Sequence, residues 1–255
     1  MCLIAFALNE HPDYPLILVA NRDEFYERPT SYADFWEDHP NVLGGRDLKG
    51  GGTWMGVTRA GRITAVTNYR DPQNISATAK TRGDLTKDYL ISDTPALPYL
   101  EQVEKEAALY NGFNLLLFEA GKGYYFSNYG DKIRTLDKGV FGLSNALLDT
   151  PWPKLEKLKE NFSQSIQSNI DVDSLLELLT DDQKASDEAL PETGVPYEWE
   201  KALSSICIAT PTYGTCCSTV ILVDKSGNLS FTEKSFPVGA RDAQSSSFNI
   251  KIADQ

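Results

Sequence analysis

The order of elements in the sequence predicts an α+β fold in which antiparallel sheets are covered by helices. Two observations carry this reading. Short apolar runs come in pairs around turn residues, the pattern of β-hairpins. Helical periodicities also come in pairs, between the hairpins, so a doubly wound parallel sheet is not expected.

Residues 2–7 and 16–20 are the first predicted strands, joined across Asn9-Glu10-His11-Pro12-Asp13. Gly44-Gly45 and Gly50-Gly51-Gly52 punctuate the next stretch. Strands over 53–58 and 62–67 flank Arg59-Ala60-Gly61, read as a hairpin loop. Thr81 is placed as the cap of a helix over 82–91, and 97–110 carries a second helical pattern. Residues 113–118 and 124–127 form another strand pair around Gly121-Lys122-Gly123. Leu155, Leu158, Phe162 and Ile166 recur every three or four residues, which predicts a helix over 153–166, and 175–179 extends the helical region. Residues 181–200, rich in charge, Pro and Gly, read as a surface insertion or mobile loop. The last strands are expected over 206–209, 218–223 and 229–232, with Lys225-Ser226-Gly227-Asn228 as a turn. Residues 1–255 are taken as one domain, long enough to bury a large core without disulfide or metal staples.

The formal net charge of -12 argues against nucleic acid and anionic membrane partners, which need a basic patch. Adjacent Cys216 and Cys217 are poor disulfide partners, and no C-x-x-C pair suggests zinc, so free thiols in a reducing compartment are expected. The apolar run over residues 2–8 is too short for a signal peptide, has no basic lead-in, and no stretch reaches the length of a membrane span. The expected location is the cytoplasm. No cofactor or metal is expected.

His11 and His39 are the only histidines, both in polar, loop-like contexts, and a Ser-His-Asp or Cys-His system would have to use one of them. The sequence has no G-x-S-x-G elbow, Walker loop or G-x-G-x-x-G, and Gly50-Gly51-Gly52 reads as a tight turn before a strand. Cys2 is different. Removal of Met1 would make it the first residue, with its thiol beside a free α-amino group of pKa about 7.7–8.0. One residue then supplies nucleophile and base, and no histidine is needed.

The surrounding motifs extend this reading. Asn21-Arg22-Asp23-Glu24 follows the second predicted strand, and Gly44-Gly45-Arg46-Asp47, Gly51-Gly52-Thr53-Trp54, Thr67-Asn68-Tyr69-Arg70, Thr81-Arg82-Gly83-Asp84, Leu143-Ser144-Asn145 and Tyr213-Gly214-Thr215 come after it in order. This series resembles the NRDE family, also called the transport-and-Golgi-organisation family, over nearly the whole chain. That family in turn resembles N-terminal-nucleophile (Ntn) hydrolases of the choloylglycine hydrolase and penicillin V acylase type. The resemblance implies a four-layer αββα sandwich and cleavage of a non-peptide C–N amide bond.

It also implies roles. Cys2 matches the nucleophile. Arg22 and Asp23 match residues that hold the thiol and the amine, with Asn21 as an alternative; the acylases separate these two positions, whereas here they are adjacent. A cation beside sulfur would lower its pKa. Asn68 resembles an oxyanion-hole asparagine, and Asn145 a second active-site asparagine. Relatives usually read Tyr-Gly-Thr-Arg, whereas Cys216 stands here; if that Arg polarises substrate or supports the thiolate, the expectation is a slower protein, a different ligand or another cation such as Arg241. Phe25 and Tyr26 line a ligand pocket or pack in the core; Trp36, Trp54, Trp152 and Trp199 read as core or cleft wall. The leading expectation is a hydrolase or acyltransferase acting on a small-molecule acyl amide. Two alternatives follow from the resemblance: a carrier of haem or another hydrophobic ligand, and a structural role in a secretory pathway with an unused site.

Overall fold

The computed structural model describes residues 2–237 and 242–252; Met1 and Arg241 lie outside the described residues. In chain order the strands are β1 (Cys2–Leu8), β2 (Leu16–Phe25), β3 (Asp34–Phe35), β4 (Val42–Gly44), β5 (Met55–Thr58), β6 (Ile63–Asn68), β7 (Phe113–Glu119), β8 (Lys122–Ser127), β9 (Arg134–Leu136), β10 (Gly139–Leu143), β11 (Tyr213–Val223), β12 (Asn228–Ser235) and β13 (Gln244–Lys251). The α-helices are α1 (Gly83–Ile91), α2 (Ala96–Glu106), α3 (Pro153–Ser165), α4 (Val172–Glu177) and α5 (Tyr197–Ala202).

The strands form a six-stranded sheet, β10-β1-β2-β11-β12-β13, and a seven-stranded sheet running from β3 to β9 in sequence order. Neighbouring strands pair antiparallel in both sheets, for example β1 with β2 and β6 with β7. Alternation along β1 decides the layering. Ile4, Phe6 and Leu8 point into a core shared with Ile63, Ala65, Leu116 and Phe118 of the other sheet. Leu3, Ala5 and Ala7 point the opposite way, onto Leu155, Leu158 and Phe162 of α3 and Leu175 and Leu176 of α4. On the far side, Leu85 and Tyr89 of α1 and Leu100 and Val103 of α2 cover Val66, Leu115 and Leu117. The layers therefore run helix, sheet, sheet, helix. Each fully buried Leu or Phe in these interfaces contributes about 1.5–3 kcal/mol.

The α+β class and the hairpin pairing are as expected; several boundaries are not. The motif Asn21–Glu24 does not follow the second strand but lies inside β2, between β1 and β11. The polar run reads as a turn in the sequence, yet its side chains find buried partners, so the strand continues. Residues 206–209 do not form a strand. The Ile206 carbonyl accepts from Asn21 Nδ2 at 2.9 Å and the Cys207 N–H donates to Asp181 at 2.7 Å, leaving a single bridge from Ala209 to Gly214. Strand β11 starts earlier, at Tyr213. Thr81 does not cap α1; Arg82 is its N-cap residue and no side chain bonds there. The second helical pattern splits into α2 and a 3-10 turn at Ala107–Leu109. Strands β3, β4, β9, β10 and β13 escape the pattern because they are short or, for the serine-rich edge strand β13, mostly exposed.

The motifs that stood apart in sequence meet in pairs. The Thr53 N–H donates to the Gly83 carbonyl at 3.3 Å, and a Cβ on Gly52 would lie 2.4 Å from Gly83, so only glycine allows this approach. Thr67 Oγ1 donates to the Ser144 carbonyl at 2.7 Å. Thr215 Oγ1 donates to Asp23 Oδ1 at 2.7 Å.

Candidate active site

Cys2, Arg22, Asp23 and Asn68 line one cleft of about 270 Å³, at the end of the sandwich where β1, β2 and β6 meet. Cys2 pairs directly with Arg22 across the β1–β2 ladder, so their side chains share a face. Asp23 is one residue on and projects to the opposite face, the one covered by α3. Adjacent positions on β2 thus face opposite sides of the sheet.

The sulfur is buried, with Cys2 6% exposed, and burial pushes its thiol up to about 11. The Asp23 carboxylate adds to this, while Arg22 and a hydrogen bond from the Asp23 backbone N–H pull the other way. The expected lowering by Arg22 is therefore present but outweighed. Arg22 itself lies 3.8 Å from Glu24, and the Cys217, Glu24, Cys216 and Cys2 groups raise its pKa against the desolvation.

Burial also raises the Asp23 carboxyl, opposed by Lys154, by the Thr215 hydroxyl and by Arg22. Asn21 does not line the cleft. Its amide ties Leu179 and Ile206 carbonyls at 2.8 and 2.9 Å, and it accepts from Ser218 at 2.6 Å, which locks β2 to the helical layer.

Asn68 ends β6 on the cleft wall, and its side-chain amide bonds to no other described residue. Asn145 does not line the cleft. It is 1% exposed and braces Asn68 from behind, its Nδ2 donating to the Asn68 carbonyl at 2.9 Å, while Ser144 Oγ reaches the Cys2 carbonyl at 3.3 Å.

Three buried residues that the sequence did not single out surround this group. Lys154, the second residue of α3, is buried, and its Nζ has no hydrogen-bond partner among the described residues. Burial pulls its amine down to about 8, with Asp23 the main opposing charge. Arg70 donates to Glu200 at 2.7 Å and stacks 4.6 Å above the Trp152 ring. Burial lowers its pKa against the attraction of Glu200. Glu200 belongs to α5, so the charged stretch 181–200 reaches the site through this pair. Arg70 sits in a motif; nothing in the sequence marks Lys154 or Glu200 as buried.

The remaining candidates, Trp54 apart, lie elsewhere. Cys216 sits at a bulge of β11, its thiol 3.5 Å from the Gly214 carbonyl, and the four cysteines form no disulfide. Phe25 packs against Tyr213 and Trp199 rather than lining the cleft. Trp54 is a cleft wall, whereas Trp36 is core, its Nε1 donating to Gly44. His11 accepts from the Asp13 N–H at a turn, and neither histidine reaches the cleft. Among the described residues no helix is long and apolar enough to cross a membrane.

Two antiparallel sheets between helical layers make up the fold seen in N-terminal-nucleophile hydrolases. The chain is similar in fold to the Caenorhabditis elegans N-acylethanolamine-hydrolyzing acid amidase ortholog, with a TM-score of 0.52 at 12% identity over 87% of this chain and 92% of that one. The family model "Transport and Golgi organisation 2" matches residues 1–237, and the chain belongs to that family. It is similar to the human Transport and Golgi organization protein 2 homolog, 39% identical over 92% of this chain and 93% of the relative. The Drosophila melanogaster Transport and Golgi organization protein 2 is 28% identical over 92% of each.

Proposed function

We propose that the chain is an Ntn-type amidohydrolase or acyltransferase that cleaves a non-peptide acyl amide through an acyl-enzyme on Cys2. One observation carries this reading: the Cys2 thiol, its cross-strand cation Arg22 and the free amide of Asn68 line the same cleft. The fold and the family are consistent with it.

In this reading Met1 is removed and the new α-amine of Cys2 takes the thiol proton. Sulfur forms a bond to the substrate carbonyl, and the negative charge on oxygen falls on the Asn68 amide. The tetrahedral intermediate collapses, the C–N bond breaks, and the ammonium returns its proton to the leaving amine. Water, deprotonated by the same amine, then releases the acid and restores the thiol; an incoming amine would give transfer instead. Arg22 supports the thiolate. Asp23, fixed by Thr215, orients the amine, and Asn145 positions Asn68.

The raised thiol pKa fits a sulfur that stays protonated until its own amine acts. The test is release of p-nitroaniline from a panel of short acyl p-nitroanilides. Wild-type release that vanishes in Cys2→Ala supports the reading; equal release by both proteins contradicts it. The cleft is lined mainly by charged and polar residues, which disfavours the alternative of a carrier for a wholly apolar ligand.

A further inference from the structure

The motif Thr81-Arg82-Gly83-Asp84 has no place in the chemistry above, yet Arg82 lines the same cleft as Cys2. Its position breaks a local rule. Arg82 is the N-cap residue of α1, where the positive end of the helix dipole disfavours a cation. Such breaks concentrate at functional sites.

Its partners do not explain it. One guanidinium nitrogen donates to the Gly112 carbonyl at 3.0 Å, and no carboxylate of the described residues lies within ion-pair distance. A guanidinium has five donors in a planar fork, so most remain available to the cleft. The side chain is part-buried, and that desolvation lowers its pKa, with Glu24 opposing from a longer range and Arg28 adding to the effect. A desolvated cation without a counter-ion is costly.

The other cations of the cleft are answered. Arg28 lies 2.5 Å from Asp47 and 3.7 Å from Glu24, Arg22 lies 3.8 Å from Glu24, and Lys80 lies 2.8 Å from Glu106. Arg82 is the charge left over, in a chain whose net charge is -12. One unanswered cation with a planar fork matches one planar monoanion, a carboxylate.

We propose that Arg82 anchors a carboxylate on the ligand, so that the cleft accepts an acyl amide bearing one carboxylate group. The word amide rests on the reading of Cys2 given above; the anion site does not require Cys2 to react.

The test is isothermal titration of N-hexanoylglycine and its uncharged analogue N-hexanoylglycinamide. Wild-type protein should bind the carboxylate at least about tenfold more tightly, and the preference should shrink as salt rises. Arg82→Gln should bring the two ligands within about twofold of each other, and Arg82→Lys should keep part of the preference. Equal affinities in the wild type, no binding of either ligand, or a preference that survives in Arg82→Gln overturns the proposal. If Arg82→Gln does not fold, Arg82→Lys and the salt series decide. If the preference stands while Cys2 never becomes acylated, the amidohydrolase reading falls and the anion site remains.

Discussion

The side-chain amide of Asn145 donates to the backbone carbonyl of Asn68 at 2.9 Å. This bond joins the loop after β10 to the end of β6 and sets where the Asn68 amide stands in the cleft. The two asparagines should therefore fail differently. Asn68→Ala should slow Cys2 acylation by about 10²–10³-fold, as loss of an oxyanion donor does, with little change in stability. Asn145→Ala should slow it less and also destabilise by about 1–3 kcal/mol, because buried partners lose their bond. Acylation rates alongside urea melts separate the two.

Thr215 Oγ1 donates to Asp23 at 2.7 Å and accepts from the Ile208 N–H at 2.9 Å. Thr215→Val removes one hydrogen bond from each of two buried partners. The expected cost is about 2–3 kcal/mol, read as a lower urea midpoint with an unchanged slope.

Lys154 gives a pH-dependent prediction. Its amine titrates at about 8 in the fold against 10.5 when free. Between those values the unfolded chain binds more protons, so this group makes stability rise with pH across that window and imposes its full penalty below it. Lys154→Met should stabilise the protein at pH 7 by roughly 1–3 kcal/mol, less than the whole shift because Asp23 loses an attractive charge. The gain should fade as pH rises through the same window, as thermal melts at several pH values will show.

Arg70 and Glu200 are both almost fully enclosed, with 6% of each side chain exposed. Glu200→Gln leaves the Arg70 charge buried, and the expected loss is about 3–5 kcal/mol. Trp152 fluorescence should report the change, since Arg70 stacks on that ring.

The sequence carried the class of fold because β1 and the start of β2 are short apolar runs bounded by turn residues, and α3 repeats its apolar residues every three or four positions. It singled out Cys2, Arg22, Asp23 and Asn68, which the fold brings to one cleft, because the motifs around them are specific in combination. It misplaced the end of β2, since Asn21 and Asp23 look like turn residues until their partners Leu179, Ser218 and Thr215 arrive from far along the chain. Lys154 was invisible for a related reason. A lysine beside Pro153 at a helix start reads as solvent-facing, and only the docking of α3 onto the sheet buries it. The bracing role of Asn145 likewise depends on a contact between segments 77 residues apart.

The proposed chemistry requires Cys2 to be an activated terminal thiol. The most direct measurement is labelling with a small β-lactone across a pH series, followed by intact-mass and peptide mass spectrometry. The expected result is protein lacking Met1 and a single adduct on Cys2, its rate rising as the terminal amine loses its proton at about pH 7.7–8.0. Retained Met1, or labelling of Cys207, Cys216 and Cys217 at rates equal to Cys2, would contradict it.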